Sequence, residues 1–249
     1  MGVYVKVVLA VVAAALVCLL VPSDMLGIRN DAVPMLEAFL ELVGGIYSVL
    51  TAFVIFVVWE QFNALQKLTV REGSLAAELP RLASLLAAGQ DDARRRVASA
   101  TRTYLTAAAA EWDELAALQE SRAATAALDA LDARVAELAA TPTVGPTADA
   151  RLSDALAALR ECRVSRVSAA KHRMPATLNH LLALLSALLL AGLLLLPPGA
   201  QPQLGHAAFV CLAAVLTMIR AVVWDIDHPF VGVWRISKAP FEQAAGIPS

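Results

Sequence analysis

The chain has 249 residues, 59% of them hydrophobic, 6% aromatic and 17% charged, with a formal net charge of −2. Soluble domains carry roughly a quarter charged residues, so the composition points to a membrane protein, and the slight negative charge argues against a nucleic-acid partner, which would favour a strongly basic domain. Cys18, Cys162 and Cys211 are isolated from one another, which gives neither a disulfide framework nor a zinc-ligand spacing.

Val3 to Val21 is the first apolar run, charged only at Lys6. A span needs about 20 residues, and a lysine near its end can snorkel to the interface. The rival reading is a signal peptide, with Val21-Pro22-Ser23 loosely resembling a cleavage site. A retained helix is favoured because the residues before the run are almost uncharged. Pro22 to Glu41 is an acidic loop holding Asp24, Asp31, Glu37 and Glu41 against Arg29, with Asn30, Asp31 and Pro34 as turn or capping signals.

Leu42 to Leu79 is the stretch around which the chain is organised. An uncharged apolar run, Leu42 to Val58, passes without a breaker into an amphipathic segment, and Trp59, Glu60 and Gln61 mark the crossing from lipid to water. One long helix ending before Pro80 is predicted, joining a membrane span to a soluble helical domain. Gly44, Ser48, Thr51 and Ile55 share one face of this span. Small residues there suit close helix packing; they equally suit a pore face, with Phe53 and Phe56 on neighbouring faces as a hydrophobic constriction.

From Glu60 to Pro175 no apolar run is long enough to span. Asp91 or Asp92 caps a helix predicted to reach about Arg122, with Val97, Thr101, Tyr104, Ala108, Trp112 and Leu115 on one face. Leu128, Leu131, Val135 and Leu138 form a short heptad-like seam. Thr141-Pro-Thr-Val-Gly-Pro146 ends that helix. The next begins at Thr147 or Asp149 and turns Leu152, Leu156 and Leu159 inward. Leu178 to Leu196 is the third span, with Asn179 and His180 at its start, and about Ala207 to Val223 is the fourth. Arg220 near the end of the fourth is expected to snorkel, the alternative being a water-filled pore.

Fifteen of the twenty Lys and Arg residues lie between Glu60 and Pro175. Arg160, Arg163, Arg166, Lys171 and Arg173 cluster next to the third span. By the positive-inside rule the middle domain and both termini are cytoplasmic, in the inner or plasma membrane. That cluster is expected to touch anionic lipid, or to line an anion-attracting vestibule. The predicted architecture is all-α: four transmembrane helices with a cytoplasmic, coiled-coil-like helical domain. The divisions are 1–58 for the first two spans, 59–176 for the cytoplasmic domain, 177–223 for the last two spans and 224–249 for a cytoplasmic tail.

No Gly-rich phosphate loop, His-Glu-x-x-His or Gly-x-Ser-x-Gly occurs, and the histidines at 172, 180, 206 and 228 form no metal set. An enzyme is the weakest class, and no cofactor is implied. Asp225 and Asp227 are a weak divalent-cation candidate, since calcium takes six to eight oxygens. The alternative is a tail that turns back at Pro229 on Phe230 and Trp234.

Trp59-Glu60 closing the second span, Glu72, Tyr104, Glu111-Trp112, the basic Arg163 and Arg166 before Pro175, and Asp227-x-Pro229-Phe230-x-Gly232 after the last span together resemble the bestrophin-like domain family. The match covers most of Leu42 to Phe241 in order and spacing. The resemblance implies kinship with bestrophins, pentameric anion channels whose second helix lines the pore. Its expected partners are the lipid bilayer, further copies of the chain and inorganic ions such as chloride. Val231 separates Phe230 from Gly232 and no acidic run follows, which departs from the bestrophin pattern and from its calcium clasp. The competing function is a membrane-anchored helical scaffold that binds a cytoplasmic partner.

Overall fold

The computed structural model describes residues 32–86, 89–141, 145–196 and 202–246, together with Leu9, Val12, Ala13 and Leu16. The rest of the expected first span, residues 22–31 of the expected acidic loop, and Cys18 lie outside the described residues; the other half of that loop is not a loop, since residues 33–41 are helical. Those described are helical and turn, with no strand among them. The helices are α1 (Val33–Leu86), α2 (Asp91–Ala110), α3 (Trp112–Ala116), α4 (Arg122–Ala139), α5 (Pro146–Lys171), α6 (Ala176–Leu195), α7 (Pro202–Asp227) and α8 (Ala239–Ala245). Among the described residues three stretches are long and apolar enough to cross a membrane: Val33–Leu85, Pro146–Leu195, whose apolar portion is α6, and Gln203–Asp227.

α1 is longer than the sequence predicts at both ends: it starts at Val33, within the expected acidic loop, and it continues through Pro80 to Leu86. An internal proline removes one backbone hydrogen bond and crowds the carbonyl four residues earlier. Here that residue is Ala76, and Ala76, Leu79 and Ala83 are fully buried, so core packing holds the turn together. The helix predicted from Asp91 to about Arg122 is instead broken. Glu111 leaves the helical path at φ −77° and ψ 4°, α3 follows as a short piece, and Leu118 takes a left-handed φ of 61°. The Gln119 N–H donates back to the Glu114 carbonyl at 2.8 Å, closing the turn that periodicity alone does not reveal.

The chain divides into two compact units, one of residues 1–60 and 173–228 and one of residues 61–172 and 229–249. In the first, α1 buries Val43, Tyr47, Thr51, Val54 and Val58, while α6 buries Leu182, Leu185, Ser186 and Gly192. Small residues bring these helices together: a Cβ on Gly44 would sit 3.8 Å from Leu189, and one on Gly192 would collide with the Leu40 side chain. α7 packs on α6 through Phe209 and Ala213, beside Leu190, Leu193 and Leu194.

The second unit has a core rich in alanine and leucine. Val97, Tyr104, Leu105 and Ala108 of α2 meet Leu128, Leu131, Val135 and Leu138 of α4 and Leu152, Leu156 and Leu159 of α5. All of these but Leu105 are positions that three–four spacing predicts. The short α8 docks Phe241 and Ala245 on the same core. Gly73 permits this, because a Cβ there would lie 3.0 Å from the Pro240 carbonyl oxygen.

Candidate functional site

Two features stand out, each within one unit. The first is the outward face of α1. Leu42, Ile46, Val49, Phe53 and Phe56 recur at three–four spacing and are exposed by half or more. They form an apolar stripe opposite the buried face. The residues anticipated to line a pore divide between the two sides. Phe53 and Phe56 stand on the exposed stripe, at 60% and 63% exposure. Ser48 is exposed, and its hydroxyl donates to the Gly45 carbonyl at 2.9 Å. Gly44 and Ile55 are half-buried. Thr51 is turned inward at 5% exposure, and its hydroxyl, like that of Tyr47, has no hydrogen-bond partner among the described residues.

The second feature is a buried ionic network in the other unit. Glu72 lies on α1 between Leu65, Thr69, Ala76 and Leu79, all on the inward stripe of the helix. Arg163 and Arg166 continue the Leu152–Leu156–Leu159 stripe of α5. Charged side chains on an inward face must find partners, and these do. The Arg166 Nε donates to Glu72 Oε2 at 2.6 Å and its Nη2 to Glu72 Oε1 at 3.1 Å and to Glu111 Oε1. Arg163 forms a forked pair with Glu111, Nη1 to Oε1 and Nη2 to Oε2, both at 3.1 Å. The break after α2 is what turns the Glu111 carboxylate into this site.

Tyr104 completes the network by donating its phenol hydrogen to Glu72 Oε1. Burial first, and then the neighbouring Glu72 carboxylate, push the Tyr104 phenol far above its ordinary value, so it remains a donor. Arg166 Nη1 has no hydrogen-bond partner among the described residues. Its guanidinium instead lies 5.2 Å from the Phe241 ring centroid and 5.8 Å from that of Trp112. Two carboxylates and two guanidiniums cancel, and Glu72, Glu111 and Arg166 are wholly inaccessible.

This corrects the expectation for the basic cluster. Arg163 and Arg166 line neither a lipid surface nor a vestibule, because both are sequestered against carboxylates. Arg160 pairs with Asp132 at 2.6 Å and Lys171 with Glu120 at 3.5 Å, both at the surface. Arg173 belongs to the other unit, beside Asp227.

The segment after α7 locks onto the network's aromatic side. The Ile236 N–H donates to the Pro229 carbonyl at 2.9 Å, and Gly232 within this loop has φ 100°, a conformation that favours glycine. Trp112 Nε1 donates to the Ile236 carbonyl at 3.0 Å, and Phe230 and Phe241 meet the Trp112 ring edge-on at 5.7 and 5.6 Å. Trp234, expected as an anchor, is 45% exposed, while Phe230 and Ile236 are buried. Asp227 Oδ1 accepts the Met174 N–H at 2.8 Å, and Asp225 is buried. Among the described residues no group of three or more His, Cys, Asp or Glu is placed to hold a metal ion. Trp59 and Glu60 are exposed on α1.

Apolar helices of spanning length, an all-helical fold and a self-neutralising ionic core define a helical membrane protein. A profile of the Bestrophin-like domain matches residues 5–241, and the chain belongs to that family. The fold is shared with crystal structures of a bacterial Bestrophin homolog from Klebsiella pneumoniae. One variant form superposes with a TM-score of 0.77 at 13% identity, covering 99% of each chain. A second gives 0.77 at 14% identity, over 99% of this chain and 98% of that one. The form phased on zinc gives 0.76 at 12% identity, over 97% and 99%. A comparison with curated proteins found no match.

Proposed function

We propose that the chain is the subunit of an oligomeric ion channel of the bestrophin type, conducting anions such as chloride across the cell membrane. In this reading several copies, five by family resemblance, surround an axis lined by α1. Four spans per subunit, a cytoplasmic second unit and cytoplasmic termini belong to the same reading. The observation that carries it is the exposed stripe Leu42, Ile46, Val49, Phe53 and Phe56 on α1, together with the family.

Repeated around an axis, that stripe makes a narrow hydrophobic sleeve that excludes water when closed and conducts when it widens. No charged filter is required of it. Thr51 faces inward, so its replacement reports on packing, and Phe53 and Phe56 become the residues to test. Purified protein in liposomes is expected to pass chloride in preference to potassium. Phe53→Ala and Phe56→Ala are each expected to raise the flux several-fold, as removal of a dewetting barrier does. If both variants assemble and conduct like the parent, α1 does not line the path. Absence of any conductance, with retention of a soluble partner, would favour the scaffold.

A further inference from the structure

We propose that the cleft lined by Asn179, Thr217, Arg220, Ala221 and Trp224 binds the phosphate headgroup of an anionic lipid. It lies within the first unit, between the first turn of α6 and the last turns of α7, and has a volume of about 310 Å3. A water molecule takes roughly 30 Å3, so the space suits a group much larger than one solvent molecule.

Its chemistry is that of a donor looking for an anion. The Arg220 guanidinium presents five N–H donors in a fixed fork, yet no carboxylate lies within ion-pair distance of it among the described residues. Its hydrogen bond is a long one, 3.4 Å from Nη2 to the neutral Asn179 Oδ1. The contrast with Arg160, Arg163 and Arg166, each held by a carboxylate, is sharp. The Arg220 contact also orients Asn179. With Oδ1 accepting from the guanidinium, the Asn179 amide N–H groups are left to donate, beside the remaining N–H groups of Arg220. Thr217 gives its own hydroxyl hydrogen to the Ala213 carbonyl at 2.7 Å, which leaves its oxygen as an acceptor for a headgroup hydroxyl.

The depth fits a headgroup as well. Arg220 precedes the end of α7 by seven residues, about 10 Å of helix, within reach of the interface for an arginine side chain. Trp224, one turn further on, is 37% exposed and stacks on His228 with centroids 4.3 Å apart. An aromatic ring at that level is where the interfacial belt is expected. The uncapped start of α6 adds positive potential at the same end of the helix pair. None of this depends on ion conduction.

The test is native mass spectrometry of the full chain in mild detergent, with phosphatidylglycerol, phosphatidylcholine or inorganic phosphate added separately. Phosphatidylglycerol adducts are expected to survive at energies that strip phosphatidylcholine. Arg220→Ala is expected to weaken phosphatidylglycerol binding about tenfold, as loss of a charge-assisted hydrogen bond does, and Arg220→Lys to restore part of it. Asn179→Ala, which keeps the charge and guards against misfolding of the arginine variant, is expected to weaken it about threefold. Equal retention of both lipids, or unchanged binding by Arg220→Ala and Asn179→Ala, overturns the proposal. Binding of inorganic phosphate without a lipid adduct overturns the lipid source.

Discussion

Arg166 holds together two carboxylates that would otherwise share a dry site with a single guanidinium. Breaking a buried pair by removing one partner costs about 3–5 kcal/mol, because the charges left behind are uncompensated. Arg166→Met is therefore expected to lower the apparent Tm by on the order of 10 °C, read in detergent by the fluorescence of Trp112, whose ring faces the site. Tyr104→Phe removes one hydrogen bond and leaves both ion pairs, so a smaller loss of about 1–2 kcal/mol is expected. Equal melting of Arg166→Met and the parent would show that the site tolerates unpaired acids. The signal for this network is written in the sequence, since Glu72, Arg163 and Arg166 interrupt apolar stripes at inward positions. Glu111 stands out in the sequence only as part of the Glu111-Trp112 motif; periodicity does not place it in the site, because its helical phase is shifted by the break after α2. Without that shift the arginines look like a solvated basic face.

The elements were legible where apolar periodicity is strong and obscure where a turn is made by ordinary residues. The seam of α4 and the inward leucines of α5 follow directly from three–four spacing. The turn at Leu118 does not, because leucine carries no signal for the left-handed conformation it adopts. That conformation costs a β-carbon residue roughly 1–2 kcal/mol, and Leu118 is 46% exposed, so it recovers little by packing. Leu118→Gly is expected to melt at or above the parent temperature, and Leu118→Val below it; the reverse order would mean that the side chain packs more than its exposure indicates. Gly73 tests the docking of α8. Gly73→Ala forces a methyl group against the Pro240 backbone, whereas at Gly192 the obstacle is the end of the flexible Leu40 side chain. Gly73→Ala is expected to be the more destabilising of the two, and to speed proteolysis after Lys238 by releasing the helix that follows.

For the whole molecule, the native thiols report which surfaces water reaches. Cys162 is buried, with its thiol 3.5 Å from the Leu68 carbonyl, whereas Cys211 is exposed in the middle of an apolar helix. In the membrane-embedded protein Cys211 is expected to react with an apolar maleimide and to resist a charged one, while Cys162 reacts with neither until the protein unfolds. Rapid labelling of Cys211 by the charged reagent would mean that its face of α7 borders water. The orientation predicted from the basic residues is read the same way, in a chain stripped of its native cysteines. An impermeant reagent applied to intact cells should spare Gln90→Cys and modify Asp24→Cys and Gln201→Cys.

The two ends of the Glu72–Arg166 pair are separated by 94 residues of sequence. At synthesis rates of about 5–20 residues per second, roughly 5–20 s pass between the appearance of the acid and that of its base. Through that interval Glu72 needs water or a temporary partner, and the surfaces that will enclose it cannot close over a lone carboxylate. Completion of α5 thus supplies the missing bases, and the second unit dries out once Phe230 and Phe241, later still in the chain, have docked on Trp112. A nascent chain that ends before Arg163 is therefore expected to keep both acids hydrated, and to be cleaved faster by a protease than the finished chain.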